Sequence, residues 1–197
     1  MEPMIKLNQN ITLIGMPGSG KTVIAREIKK LVHCSVVDAD DEIIVAAGRP
    51  ISDIFQDFGE KDFRNGERRV IERILKDSNI ILSAGGGAYI NPQTRSIIDA
   101  NSYTIWLDID METLWRRVKN KKHRPMLRCI NPRQTLQDLY DTRTPLYALS
   151  NLHVKHEKMT VPQMAKKIVE LLKDENKSLE NEDKILIENS GNNKNEK

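Results

Sequence analysis

The segment Gly15-Met16-Pro17-Gly18-Ser19-Gly20-Lys21-Thr22 constrains this chain more than any other stretch. It follows directly on an apolar run, Ile11-Thr12-Leu13-Ile14. It opens a segment whose apolar residues, Val23, Ile24, Ile28, Leu31 and Val32, recur at helical spacing up to residue 32. A strand that turns through glycines into a helix leaves successive backbone N–H groups pointing inward at a helix N-terminus, where the dipole favours negative charge. Ending in Lys-Thr, the pattern is a phosphate-binding loop, and it predicts a bound nucleoside triphosphate with Mg²⁺. Lys21 would bridge the β- and γ-phosphates, and the Thr22 hydroxyl would take one position on the magnesium.

The rest of the chain repeats the strand-then-helix order. Short apolar runs predict strands at 36–37, 80–82, 103–107 and 152–154. Helical spacing predicts helices over 40–47, 51–58, 62–75, 112–119 and 161–172, the first of them stopped by Gly48 and Pro50. Strands that read as continuous apolar runs, alternating with helices, belong to a parallel sheet covered on both faces, an α/β fold. A basic, proline-containing stretch over 120–132 lacks periodicity and reads either as a mobile loop over a site, expected to close once both ligands bind, or as an ordinary surface connection.

Length and charge bound the function. The 197 residues suit one domain. Residues 174–197 hold seven acidic and four basic side chains and few apolar ones, so they read as a disordered polar tail. Without that tail the formal charge rises from +3 to about +6, which suits anionic ligands. No nucleic-acid motif accompanies that charge, and no apolar run approaches the roughly 18 residues of a membrane span. Cys34 and Cys129 make neither a disulfide framework nor a zinc site. With no apolar signal core near Met1, the expectation is a cytoplasmic protein, acting as a monomer on a small molecule. A chain this short leaves little room for a motor, and it has no Asn-Lys-x-Asp guanine-reading motif. A compact small-molecule kinase is therefore the leading class, ahead of a non-catalytic nucleotide-binding protein on the same scaffold.

Three features point to the acceptor side. Asp38 and Asp40 stand at the C-terminal end of the second strand, where ligands bind in open α/β sheets, although such a pair alone reads as a turn and helix cap. Arg64 and Glu67 lie three apart on one helix and can touch; alone they read as a surface ion pair. Gly85-Gly86-Gly87 directly follows a buried strand, where three glycines are costly unless a ligand or another backbone must approach closely. His33, His123, His153 and His156 show no spacing that suggests catalysis.

With these blocks in place, the chain resembles the shikimate kinases from Ile11 to about Leu172. The resemblance is carried by the glycine loop, Asp38-Ala39-Asp40, Gly48-Arg49-Pro50-Ile51-Ser52-Asp53-Ile54-Phe55, the run from Gly59 to Glu67 with Phe63-Arg64, Ser83-Ala84-Gly85-Gly86-Gly87, Arg124-Pro125-Met126-Leu127, and Arg143-Thr144-Pro145-Leu146-Tyr147. It implies a P-loop kinase fold, a five-stranded parallel sheet of order 2-3-1-4-5 flanked by helices, and transfer of phosphate from ATP to the 3-hydroxyl of shikimate. It further implies that Asp40 contacts the ring hydroxyls and that Arg64 and Arg143 clamp the carboxylate. Gly86 and Gly87 would offer it N–H groups, and Glu67 would position Arg64. The nucleotide would lie on Gly15, Gly18, Ser19, Gly20, Lys21, Thr22 and Val23, with Arg117 stacked on the adenine and Arg124 reaching from the lid to the moving phosphoryl group. Asp38 and Ser83 would hold waters on the magnesium. Departures are slight: Thr22 stands where many members have serine, and Met126 where leucine is usual.

Overall fold

A computed structural model of the chain describes residues 5–6, 9–119 and 130–174. Five strands form the central sheet: β1 (Ile11–Ile14), β2 (Ser35–Asp38), β3 (Ile80–Ser83), β4 (Tyr103–Asp108) and β5 (Leu152–Lys155). All pairings are parallel and the spatial order is 2-3-1-4-5, as expected. The three central strands are buried on both faces through Ile11, Leu13, Ile81, Leu82, Ile105 and Leu107, which is why they read as apolar runs rather than as alternating patterns. Their register places Ser83 of β3 between Leu13 of β1 and Asp38 of β2.

The helices are α1 (Lys21–Ile28), α2 (Ala39–Ala47), α3 (Ile51–Ile74), α4 (Pro92–Asn101), α5 (Met111–Val118), α6 (Pro132–Tyr147) and α7 over 161–174. Asp38 caps α2 by accepting from the Asp40 N–H, and Gly48 in the left-handed region ends it. The two segments expected over 51–58 and 62–75 are both present, as the two parts of α3, which meet at a kink at Gly59, where φ of 77° and ψ of 177° are not helical. A buried stripe of Met164, Ala165, Ile168, Val169 and Leu172 holds α7 to the core. No described helix is long and apolar enough to cross a membrane.

Three expectations need correction. The first helix does not reach residue 32: the N–H groups of Lys30 and Leu31 turn to the carbonyls of Glu27 and Ile28, three residues back, which tightens and ends it. Val32–His33 then pairs in parallel with Ile5–Lys6 as a separate two-stranded ribbon. Periodicity also missed α4 and α6, yet both carry the same start signal. Asn91 and Asn131 accept from N–H groups of the first turn, and Pro92 and Pro132 follow them at the first helical position. Pro145 argues against helix near the end of α6, a position that costs about 3 kcal/mol inside a helix. Burial of Leu136 and Tyr147, each contributing roughly 1.5–3 kcal/mol, offsets it. The third is the end of the last helix, which runs two residues beyond 172. Most of the 120–132 loop, and the tail beyond 174, lie outside the described residues.

Candidate active site

At the end of β1 the chain turns through Gly15, Gly18 and Gly20, all at positive φ. Gly20, at φ 96° and ψ 19°, is the last residue before α1, so the first N–H groups of that helix face the hollow of the loop. Lys21 folds back across the hollow, donating to the carbonyls of Gly15 (2.9 Å) and Met16 (3.2 Å) and to Ser19 Oγ (3.4 Å). An ammonium anchored on the rim of a ring of N–H groups is an anion site. Val23 stands in the first turn of α1, more than half exposed.

Beside the loop, three oxygens meet because of the sheet register. Thr22 Oγ1 donates to Asp38 Oδ2 at 2.5 Å and lies 3.1 Å from Ser83 Oγ. The other Asp38 oxygen caps α2 through the Asp40 N–H at 3.0 Å. The helix-cap reading of this aspartate pair is therefore true of Asp38 and incomplete, since the same carboxylate also reaches Thr22.

Each glycine of the run after β3 has a close neighbour where a side chain would stand. A side chain at Gly85 would come within 2.9 Å of Glu67 Oε1 and 3.1 Å of Asp40 Oδ1; one at Gly86 would meet Pro17 of the phosphate loop at 2.9 Å. At Gly87 it would run into the Arg64 guanidinium, 2.7 Å from its Cζ. Close approach, as expected from sequence, is what these glycines permit. From α6, Arg143 (6% exposed) donates to the Gly86 carbonyl at 3.1 Å. Tyr147, one turn further on, donates its hydroxyl to the same oxygen. The pocket thus gathers Asp40, Arg64, Glu67, Gly86, Gly87 and Arg143 against the donor loop. Between α2 and α3 lies a cavity of about 290 Å³ lined mainly by Ile43, Ala46, Ile54, Phe63 and Val70, with Asp62 and Arg69 also in its wall.

The Arg64–Glu67 pair is not a surface ion pair. Arg64 Nη1 meets Glu67 Oε2 at 2.7 Å, with the Glu67 side chain 1% exposed and Arg64 15%. Burial pushes the Glu67 carboxyl above its ordinary value; Arg64 opposes that rise and the Asp40 carboxylate adds to it. The Arg64 guanidinium, which burial alone would lower, is held above its ordinary value by Glu67 and Glu60. A carboxyl whose pKa is raised by folding contributes stability that is complete below its unfolded value and is lost as pH rises through its folded value. We therefore expect the wild type to lose stability relative to Glu67→Gln as pH is raised from about 4.5. Thermal melts of both proteins in pH steps check this. A stability difference independent of pH would show that Glu67 titrates as an exposed glutamate does.

On the outer side of the loop, Arg117 of α5 donates to the carbonyls of Gly18 and Ser19, both at 3.3 Å, and lies 3.1 Å from His156 Nε2. His153 stacks on Trp106 and meets Asp108 at 2.7 Å on the β4–β5 side of the sheet. Arg124 lies outside the described residues. From sequence, Pro17 and Tyr147 enter only within the matching blocks and carry no role of their own, and His156 shows no catalytic spacing. The spacing of Arg143 and Tyr147, four apart, would have paired them on one helix face had α6 been recognised.

The chain and its fold have counterparts among known proteins. The shikimate kinase family model matches residues 17–173. The shikimate kinase of Cereibacter sphaeroides is 39% identical over 169 residues, covering 86% of this chain and 85% of the relative. That of Novosphingobium aromaticivorans is 43% identical over 153 residues, covering 76% and 79%. Among solved structures, the shikimate kinase from Acinetobacter baumannii in complex with shikimate superposes with a TM-score of 0.81 at 30% identity, covering 85% of this chain and 94% of that one.

Proposed function

The chain belongs to the shikimate kinase family, and from that premise we propose that it transfers the γ-phosphoryl group of ATP to the 3-hydroxyl of shikimate, a step in aromatic amino acid biosynthesis by way of chorismate. The products are shikimate 3-phosphate and ADP. The observation that carries the reading is the contact of Gly86 with Pro17. It sets a pocket holding two arginines and a carboxylate directly against the phosphate loop.

The chemistry follows from that placement. Arg64 and Arg143, with the N–H groups of Gly86 and Gly87, suit a carboxylate, since guanidinium forks and backbone amides both donate to one. Asp40 then orients the 3-hydroxyl, whose oxygen forms the new bond to phosphorus as the bond to the ADP oxygen breaks. A carboxylate is a weak base toward an alcohol, so Asp40 takes the proton late, when that oxygen has become acidic. Phosphoryl transfer asks the protein mainly for alignment and positive charge. Lys21 supplies charge at the loop, and Arg124 from the lid segment adds to it in this reading. Arg117, braced on the loop's outer carbonyls, suits the adenine side. The oxygen set of Thr22, Asp38 and Ser83 fits Mg²⁺: Thr22 would hold it directly and Asp38 and Ser83 through waters, and the ion would supply charge neutralisation at the phosphates. In this reading the working unit is a monomer.

A coupled ADP-release assay with shikimate, quinate, gluconate and nucleoside monophosphates tests the assignment. Shikimate should be the preferred acceptor by a wide margin. Turnover of gluconate with none of shikimate would overturn it.

A further inference from the structure

The Gly86 carbonyl receives two side-chain donors from one helix face, Arg143 at 3.1 Å and the Tyr147 hydroxyl. That oxygen shares a peptide group with the Gly87 N–H. The chain has no cis peptide among its described residues, and in a trans peptide the N–H points opposite to the C=O. Two donors from α6 therefore turn the Gly87 N–H away from α6. The neighbouring groups hold the peptide from both sides: Ala88 N–H donates to the Gly85 carbonyl at 3.0 Å, and Ile90 N–H to the Gly87 carbonyl at 3.2 Å. The Arg64 guanidinium lies against the Gly87 Cα. We infer that Tyr147 is a positioning residue for acceptor recognition: by sharing the Gly86 carbonyl with Arg143, it aims the Gly87 N–H at the substrate carboxylate and holds the guanidinium of Arg143 in register with that of Arg64.

Two further observations fit this role. Tyr147 is 1% exposed and packs against Trp106 with ring centroids 6.1 Å apart, so its hydroxyl has one fixed direction. Burial pushes its pKa up to about 12, so it remains a donor at every pH at which the enzyme would be assayed. Hydrogen bonds in series also polarise one another: a carbonyl accepting two donors makes the N–H of its own peptide a better donor. Without Tyr147, Arg143 is left as the single side-chain donor to the Gly86 carbonyl, and the peptide loses one of the two anchors that fix its plane.

The inference rests on the shikimate reading, and its test separates the two. Tyr147→Phe keeps the ring and its packing and removes only the hydroxyl. In the intact enzyme, its KM for shikimate should rise about 3- to 10-fold, the range of one hydrogen bond, while KM for ATP and kcat stay within about two-fold. A shikimate analogue with a methyl group in place of the carboxylate, titrated by calorimetry, should bind wild type and variant alike, since the aimed N–H then has no acceptor to meet. An unchanged shikimate KM, or equal weakening of shikimate, ATP and the analogue, overturns the positioning role. A wild type inactive on shikimate overturns the functional reading instead.

Discussion

Replacing Lys21 with methionine is expected to lower kcat/KM for ATP by roughly 10²–10³-fold, the range seen when one preorganised donor to a developing charge is removed. The dissociation constant of shikimate should stay within about two-fold. Methionine keeps the unbranched stem and removes the charge. In the folded protein the ammonium is tethered to Gly15, Met16 and Ser19, all within the loop, so its loss touches the donor phosphates and leaves the acceptor pocket intact. Steady-state kinetics with separate titration of shikimate check this. A variant retaining more than a tenth of wild-type kcat/KM would mean that charge on the phosphoryl group comes chiefly from elsewhere.

Asp40→Asn should reduce kcat by roughly 10²–10⁴-fold, the range of a positioned acid–base group, with KM for ATP little changed. The amide is the same size, so it still fits beside Gly85, 3.1 Å from the nearest carboxylate oxygen to the position of an added side chain there. What it loses is the ability to accept the hydroxyl proton. A second readout comes from the same charge. Asp40 contributes to the upward shift of the Glu67 pKa, so neutralising it should move the pH dependence that distinguishes wild type from Glu67→Gln toward lower pH. An unchanged kcat would remove Asp40 from the chemistry; an unchanged Glu67 titration would mean that the two carboxylates do not sense one another.

The local signals in this chain were strong where the physics is local. The loop from Gly15 to Thr22, the apolar runs of the five strands and the break at Gly59 are each decided by a few adjacent residues. Their chain order sufficed for a parallel sheet covered on both faces; the strand order and the acceptor came from resemblance. The helices that periodicity missed, α4 and α6, begin with the same Asn-Pro pair, and the second hides behind Pro145, whose local cost is overridden by burial.

What residue spacing could not supply lies in contacts between distant positions. Glu67 reads as a surface glutamate until α3 packs its inner face on the glycine run, and then it is a buried carboxyl beside Asp40 with a raised pKa. Arg143 and Tyr147 reach a carbonyl 57 and 61 residues away, and Arg117 braces a loop 99 residues before it. The sequence by itself determined the donor, because a phosphate loop is built from consecutive residues whose backbone conformation their own side chains decide. Only the tertiary structure decided how the acceptor pocket is held, because its parts come from α2, α3, the turn after β3 and α6, and they meet only through the register of the sheet and the burial of its helices.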